Sequence, residues 1–431
     1  MPVKNMPYWW ETAPRTPSEE LPLPKSIDVA VIGAGFTGLC AALVLARGGA
    51  SVAVFEADVL GCGASTLNGG MVGPSFHKLG VAGLKSKFGA ERANAILGES
   101  IGFVDYLDNF LSTEGIDAEF KRTGRFRGAL RSQHYDSMAR ELGILQEAIG
   151  DVGEMLPKAE QQQETGSPLF HGGVVYNRDG SLHPAKYHDG LVERAREAGV
   201  TIFAEMPVIG LEKMASGFTV KTTRGELAAT QVAVCSNGYT KSVTQDLRRR
   251  VLPLRSAMIA TEVLDPNLMK QLMPKGRVYG DSRRLVAYYR PSPDGTRILF
   301  GGRASGLKEN NAANARNLRS AMLEVYPQLS DSAISHTWSG LVAYTFDHVP
   351  HLGQFGGGKN DGVYYAMGYC GSGVARATYF GNKLGMKMLN TSGHETAFDN
   401  MDFETRPLYS GNPWFMPGLL VWHRVADKLG L

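Results

Sequence analysis

Ile27-Asp-Val-Ala-Val-Ile32, Gly33-Ala-Gly-Phe-Thr-Gly38, the stretch Leu39 to Arg47, and Ser51-Val-Ala-Val-Phe-Glu56 follow one another near the start of the chain. The first run is β-branched and predicts a strand, while the helix formers from Leu39 onward predict a helix. Gly48-Gly49-Ala50 stops that helix, and Ser51 to Phe55 predicts a second strand closed by an acid. The order is a βαβ unit, parallel and right-handed. Its glycines have separate tasks: Gly33 permits a tight turn, Gly35 lets backbone approach a pyrophosphate, and Gly38 allows close helix–strand contact. Glu56 stands where a carboxylate accepts from a ribose hydroxyl, and an acid there disfavours a 2′-phosphate. The unit predicts a cofactor containing ADP. By itself it does not separate FAD from NAD.

The next segment does. Gly61-Cys-Gly-Ala-Ser-Thr-Leu-Asn-Gly-Gly-Met-Val72 is polar and glycine-rich where an NAD enzyme would begin its next helix and strand. Such a segment suits backbone and hydroxyls packed along a longer cofactor. Further on, residues 86–111 and 133–150 are expected to be helical, and residues 165–185 turn-rich and strand-like, with Asp179-Gly180 as a hairpin signal. Residues 184–199 predict a helix and Val200 to Ala204 a strand. Strand patterns return at Gly217 to Thr223 and Gln231 to Cys235, and period-two segments between Val251 and Gly302 predict an antiparallel sheet.

The 431 residues suit two domains, one assembled from separated segments. With 45 basic and 42 acidic residues the net charge is +3, and no basic block resembles a nucleic-acid footprint. Cys40, Cys62, Cys235 and Cys370 are scattered, which argues against a disulfide framework, a zinc ribbon or a dithiol centre and favours a cytoplasmic setting. The proline-rich start lacks the order of a secretory signal and is read as an extended arm. No stretch reaches the roughly 20 apolar residues of a membrane span. The aromatic tail, Pro413 to Arg424, is expected to pack on the body rather than on a membrane surface. His348 and His351 are spaced His-x-x-His, and His183 and His188 flank Pro184 to Tyr187. On a strand the first pair points to opposite faces, so no metal site is expected.

At this point the chain resembles the D-amino-acid oxidase-like superfamily of FAD-dependent oxidoreductases, nearest its γ-glutamylputrescine oxidase branch. The resemblance spans nearly the whole chain. It is carried by Tyr8-Trp-Trp-Glu-Thr-Ala-Pro14, the fingerprint, Gly63 to Gly70, Val251-Leu-Pro253, Tyr288-Tyr-Arg290, Leu299 to Gly302, Trp338 to Gly353, and Met367-Gly-Tyr-Cys-Gly-Ser-Gly373. It implies an α/β fold: a Rossmann-like FAD-binding domain of the glutathione-reductase type with an antiparallel-sheet substrate domain. The arm would be residues 1–25, the FAD domain 26–105, 170–248 and 338–395, the substrate domain 106–169 and 249–337, and the tail 396–431.

By the same resemblance Gly33, Gly35, Phe36, Thr37, Gly38, Glu56 and Ala57 lie along the ADP part. Gly63, Ala64, Ser65, Asn68, Gly69, Gly70 and Met71 lie near pyrophosphate and flavin. Val208 meets the adenine, and Gly340, Gly371, Ser372, Gly373 and Val374 approach the flavin, with Asp347 and Pro350 preceding that loop. Relatives that tether flavin do so through a histidine where Leu67 stands, or a cysteine aligned roughly with Gly340. Non-covalent FAD is therefore implied. The Gly-His-Gly common in the late loop is Gly371-Ser372-Gly373, and a substrate-facing lysine aligns near Ala375, with Arg376 one step on. Tyr288 and Arg303 are the candidate substrate-positioning residues. Alternation puts Tyr288 and Arg290 on one face and Tyr289 on the other.

The expected substrates are a small amine or amino acid and O2. Four readings compete: an amine or amino-acid oxidase releasing peroxide, a dehydrogenase passing electrons to a quinone or carrier protein, an NAD(P)H-driven hydroxylase or disulfide reductase, and a flavin-binding module without turnover. The third lacks a second glycine fingerprint and a Cys-x-x-Cys pair. Acid precipitation of the yellow protein is expected to leave the flavin in the supernatant, and a yellow pellet would refute non-covalent attachment.

Overall fold

The computed structural model describes residues 2–15, 17, 20–74, 79–304, 309–416, 418 and 422. The opening segment folds as strand Ser26–Ile32, helix Phe36–Arg47 and strand Val52–Phe55. Ser26–Ile32 lies inside its sheet, parallel to Val52–Phe55 on one side and to Gly225–Val234 on the other. Thr201–Phe203 extends the sheet beyond Val52–Phe55, and Tyr364–Met367 then His351–Gln354 extend it the other way. Both faces of such a sheet are covered, which explains the unbroken apolar runs Val52–Phe55 and Val232 to Val234. Val208–Lys213 and Phe218–Thr222 add an antiparallel meander through the Arg224-Gly225 turn.

The second sheet has eight strands in the order Ile334–Thr345, Val251–Thr261, Ile298–Arg303, Tyr288–Pro291, Val278–Asp281, Arg125–Gly128, Gly173–Tyr176, Gly153–Leu156. It is antiparallel except where Val278–Asp281 runs parallel to Arg125–Gly128. Gly173–Tyr176, and residues 338–345 of strand Ile334–Thr345, were expected in the nucleotide part from the sequence and pair in this second sheet.

Several local expectations change. The helical stretch at 86–111 is divided among Gly80–Phe88, Ala90–Ile101 and Phe103–Thr113, and Gly89 separates the first two with φ +79°. Asp179-Gly180 is not a hairpin turn. Gly180–Ser181 pairs with Met71–Val72, and buried Asp179 is held 2.7 Å from Arg125. The N-terminal arm is not simply extended. Tyr8–Glu11 forms a 3-10 turn, and Trp9 is fully buried among Met258, Leu299 and Trp338, because those rings find an apolar recess. At the other end, Phe415 and Met416 pack against Leu254, Leu285 and Tyr344, while Trp414 and Trp422 are exposed. Most of the tail beyond Met416 lies outside the described residues. No helix among the described residues is long and apolar enough to cross a membrane.

One helix crossing sets the site. Gly373–Met388 lies on Phe36–Arg47 through two glycines: a Cβ at Gly381 would stand 2.6 Å from the Thr37 carbonyl, and one at Gly385 would stand 2.8 Å from Val44 Cβ. Tyr369 and Thr37 then meet hydroxyl to hydroxyl at 2.7 Å, and the 371–374 loop is carried beside the fingerprint. Gly385→Leu is expected to cost about 1–3 kcal/mol by overpacking. Denaturant unfolding of the variant checks this, and an unchanged midpoint would mean the helices can separate freely.

Candidate active site

The carboxyl ends of the parallel strands are where an α/β sheet leaves a crevice for a nucleotide. Here the crevice is one cavity of about 780 Å³ running from the fingerprint to the face of the second sheet. At the first end Gly33 takes φ +105°, and its N–H donates to the Phe55 carbonyl at 2.9 Å. A Cβ on Gly33 would stand 3.2 Å from Cys235 backbone, and one on Gly38 would fall on the Gly33 carbonyl oxygen. Both positions need glycine. Glu56 accepts from the Ala34 and Ala57 N–H groups at 2.9 and 2.8 Å, fastening the turn to the end of the second strand. Ser65 Oγ accepts from Phe36 N–H at 3.0 Å at the start of the helix, where an anion is favoured.

In the middle, the short helix Ala64–Leu67 is followed by Asn68, whose amide donates to the Ala64 and Ser65 carbonyls while its Oδ1 accepts from Gly70 N–H at 2.7 Å. Gly340 faces Leu67 so closely that a Cβ there would stand 2.8 Å from Leu67 Cβ. Gly371, with φ +95°, brings the late loop in from the other side. At the far end Ser256 Oγ donates to the Gly302 carbonyl at 2.9 Å and therefore accepts from Tyr288 OH at 2.8 Å. That leaves the phenol oxygen of Tyr288 as an acceptor. Arg303 sits 5.8 Å over the Tyr344 ring. Burial raises the phenols of Tyr288 and Tyr344 above their ordinary range, so both stay protonated.

The DAO family, FAD dependent oxidoreductase, matches residues 28–385. The chain belongs to this family, and FAD is its cofactor. "Probable oxidoreductase OrdL" of Rhizobium meliloti (strain 1021) is 31% identical over 99% of this chain and 99% of that protein. Gamma-glutamylputrescine oxidoreductase of Escherichia coli (strain K12) is 26% identical, covering 94% and 93%. Among solved structures, glycine oxidase from Geobacillus kaustophilus superposes with TM-score 0.75 at 21% identity, covering 89% of this chain and 99% of that one. The family and its fold are those expected from the sequence. The glycine cradle and the long cavity fit FAD.

Of the residues expected at the cofactor, Gly33, Gly35, Phe36, Thr37, Glu56, Ala57, Gly63, Ala64, Ser65, Asn68, Gly69, Met71, Val208, Gly340, Gly371, Ser372, Gly373 and Val374 all line the cavity, as do Tyr288 and Arg303. Gly38 and Gly70 lie behind its wall. Gly70 contributes its carbonyl, which accepts from Leu182 N–H at 2.8 Å and Arg290 Nη1 at 3.1 Å. Arg290 thus shares Tyr288's face but is buried and braces backbone, while Tyr289 stacks between Tyr279 and Phe300 in the core. Arg376 is buried away from the cavity and donates to the Tyr369 and Pro74 carbonyls.

The histidines hold structure. His351 is buried 2.8 Å from Asp347 and stacked on Phe403, whereas His348 is exposed. His183 Nδ1 accepts from Lys186 N–H, so its Nε2–H donates to Thr12. His188 Nε2 donates to the Ala34 carbonyl at 2.8 Å, behind the fingerprint turn. Sequence reading missed Ser256, Tyr344, the strand Val278–Asp281 and the place of His188 behind the fingerprint turn, because each acquires its position through contacts across distant segments.

Asp281 ends that strand on the cavity wall, held by Arg283 at 3.0 Å. Burial pushes its carboxyl from 3.8 up to about 6, with Arg283 opposing. The folded state therefore disfavours the ionised form, and stability is lost as pH rises from 3.8 to about 6. Asp281→Asn is expected to gain stability relative to the unaltered protein across that window. Melting temperatures of both proteins over the range check it, and a constant difference would contradict the raised value.

Proposed function

We propose that this enzyme oxidises a primary or secondary amine or amino acid carrying a carboxylate, with O2 as electron acceptor. The observation that carries the proposal is the continuous cavity lined both by the fingerprint turn and by Tyr288, Tyr344 and Arg303. FAD, when bound, supplies a two-electron acceptor that takes a hydride from the carbon next to nitrogen and returns the electrons to O2 as H2O2. Hydrolysis of the resulting imine gives a carbonyl compound and the smaller amine or ammonia. The chain's own tasks are to orient the substrate, keep its nitrogen neutral and exclude water.

For those tasks the phenol oxygen of Tyr288 is offered as acceptor for a substrate N–H, since its own hydrogen is turned to Ser256. Arg303 is offered for the carboxylate through a paired, charge-assisted hydrogen bond. Arg125, Arg127 and Arg283 also line this end, each near an acid: Asp179 at 2.7 Å, Glu141 at 3.6 Å and Asp281 at 3.0 Å. Those pairings hold them in place and largely offset their charge, so Arg303 carries the preference for an anionic substrate. No protein base is needed, which agrees with two phenols that stay protonated. Leu67 filling the space that Gly340 leaves open supports FAD held without a covalent bond.

A peroxide-coupled screen of primary and secondary amines, with and without a carboxylate, tests the proposal. Arg303→Met is expected to raise KM for the carboxylated substrate by about 10- to 100-fold, the worth of a charged hydrogen bond, with little effect on an uncharged amine. Anaerobic incubation that leaves the flavin unbleached by every amine would sink it. Bleaching followed by dye reduction without peroxide would instead identify a dehydrogenase.

A further inference from the structure

The loop that lines the middle of the cavity is held from behind by three indoles from two separate parts of the chain. Trp10 Nε1 donates to Thr66 Oγ1 at 3.0 Å, Trp338 Nε1 to the Leu67 carbonyl at 3.2 Å, and Trp9 Nε1 to the Asn68 carbonyl at 2.9 Å. Three consecutive residues are thus each fixed by one indole N–H. The Thr66 hydroxyl passes its own hydrogen to the Gly61 carbonyl, so the Trp10 contact extends the chain of donors to the start of the loop. Trp9 and Trp338 are buried with Met258 in one apolar cluster, which Leu67 and Trp10 border. Met258 in turn stands 3.3 Å from where a Gly69 Cβ would be. Arg290 lies over the Trp9 ring while holding the Gly70 carbonyl.

Trp338 belongs to the second sheet. Trp9 and Trp10 belong to the N-terminal arm, which is itself docked by directional contacts. Lys4 bonds Ser335 and Thr337 of strand Ile334–Thr345, Glu11 lies 3.1 Å from His336, Thr12 lies 2.9 Å from His183, and Arg15 lies 2.6 Å from Asp189. The opposite side of the loop presents Ser65, Leu67, Asn68 and Gly69 to the cavity. A buried polar group left unpaired is costly, so each seated indole favours this shape of the loop.

We propose that Trp9, Trp10 and Trp338 are positioning residues that clamp the 64–70 loop in its FAD-accepting shape, so that docking of the N-terminal arm and binding of FAD are coupled. The proposal rests on the cavity being the FAD site. Coupling of this kind is reciprocal: whatever factor the docked arm adds to FAD affinity, FAD adds to arm docking.

Two measurements on the full-length protein test it. In the first, trypsin is added to the apoprotein with and without saturating FAD, and loss of residues 1–4 or 1–15 is followed by intact mass. FAD is expected to slow that trimming several-fold. In the second, FAD is titrated into apoprotein bearing Trp10→Phe or Trp338→Phe, each keeping an aromatic ring but losing its N–H. Flavin fluorescence quenching is expected to show about 2- to 12-fold weaker binding per variant, the span of one net hydrogen bond. Trimming at the same rate with and without FAD, or affinities within twofold of the unaltered protein, would overturn the clamp. Failure of the unaltered apoprotein to quench FAD at all would instead overturn the assignment of the cavity, a separate result.

Discussion

The carbonyl oxygen of Gly33 occupies the place where any residue other than glycine at position 38 would put its Cβ. That contact makes the first turn of helix Phe36–Arg47 press directly on the strand that feeds it, and the rest of the site follows. With the helix so close, its free N–H groups face the carboxyl edge of the sheet, and Glu56 can reach across to Ala34. Gly381 and Gly385 repeat the same economy of side chain one layer out, letting a second helix lie close enough to bring its own N-terminal loop to the same edge.

Between those two helices and the second sheet, the cavity is walled by elements far apart in the chain. The 64–70 loop has little regular structure, one short helical turn and an asparagine bonded to its own backbone. Its outer surface is taken up by indole donors from the arm and from strand Ile334–Thr345. Directional bonds to carbonyl and hydroxyl groups, rather than secondary structure, hold it. The aromatic residues near the N-terminus thus meet the loop on the side away from the cavity.

At the far end the chemistry is spare. Two phenols kept neutral by burial lie there, with a serine that orients one of them and an arginine over the ring of the other. The surplus arginines on neighbouring strands are mostly tied to acids, which keeps them in place and moderates their field.

The late glycine loop was placed through resemblance to the family, whereas the fingerprint, Glu56 and the polar stretch after it were legible in the sequence because each depends on local backbone geometry: positive φ, close approach, or a strand ending at an acid. The alternation of Tyr288, Tyr289 and Arg290 was legible for the same reason. What only the tertiary structure decided is how separated strands pair. Gly173–Tyr176 and Ile334–Thr345 joined the second sheet, Gly180–Ser181 paired with Met71–Val72 rather than forming a hairpin, and the arm turned inward to bury Trp9. Those outcomes rest on long-range burial and cross-strand hydrogen bonds, in which a residue's partner lies far away in the chain and leaves no trace in its own neighbourhood.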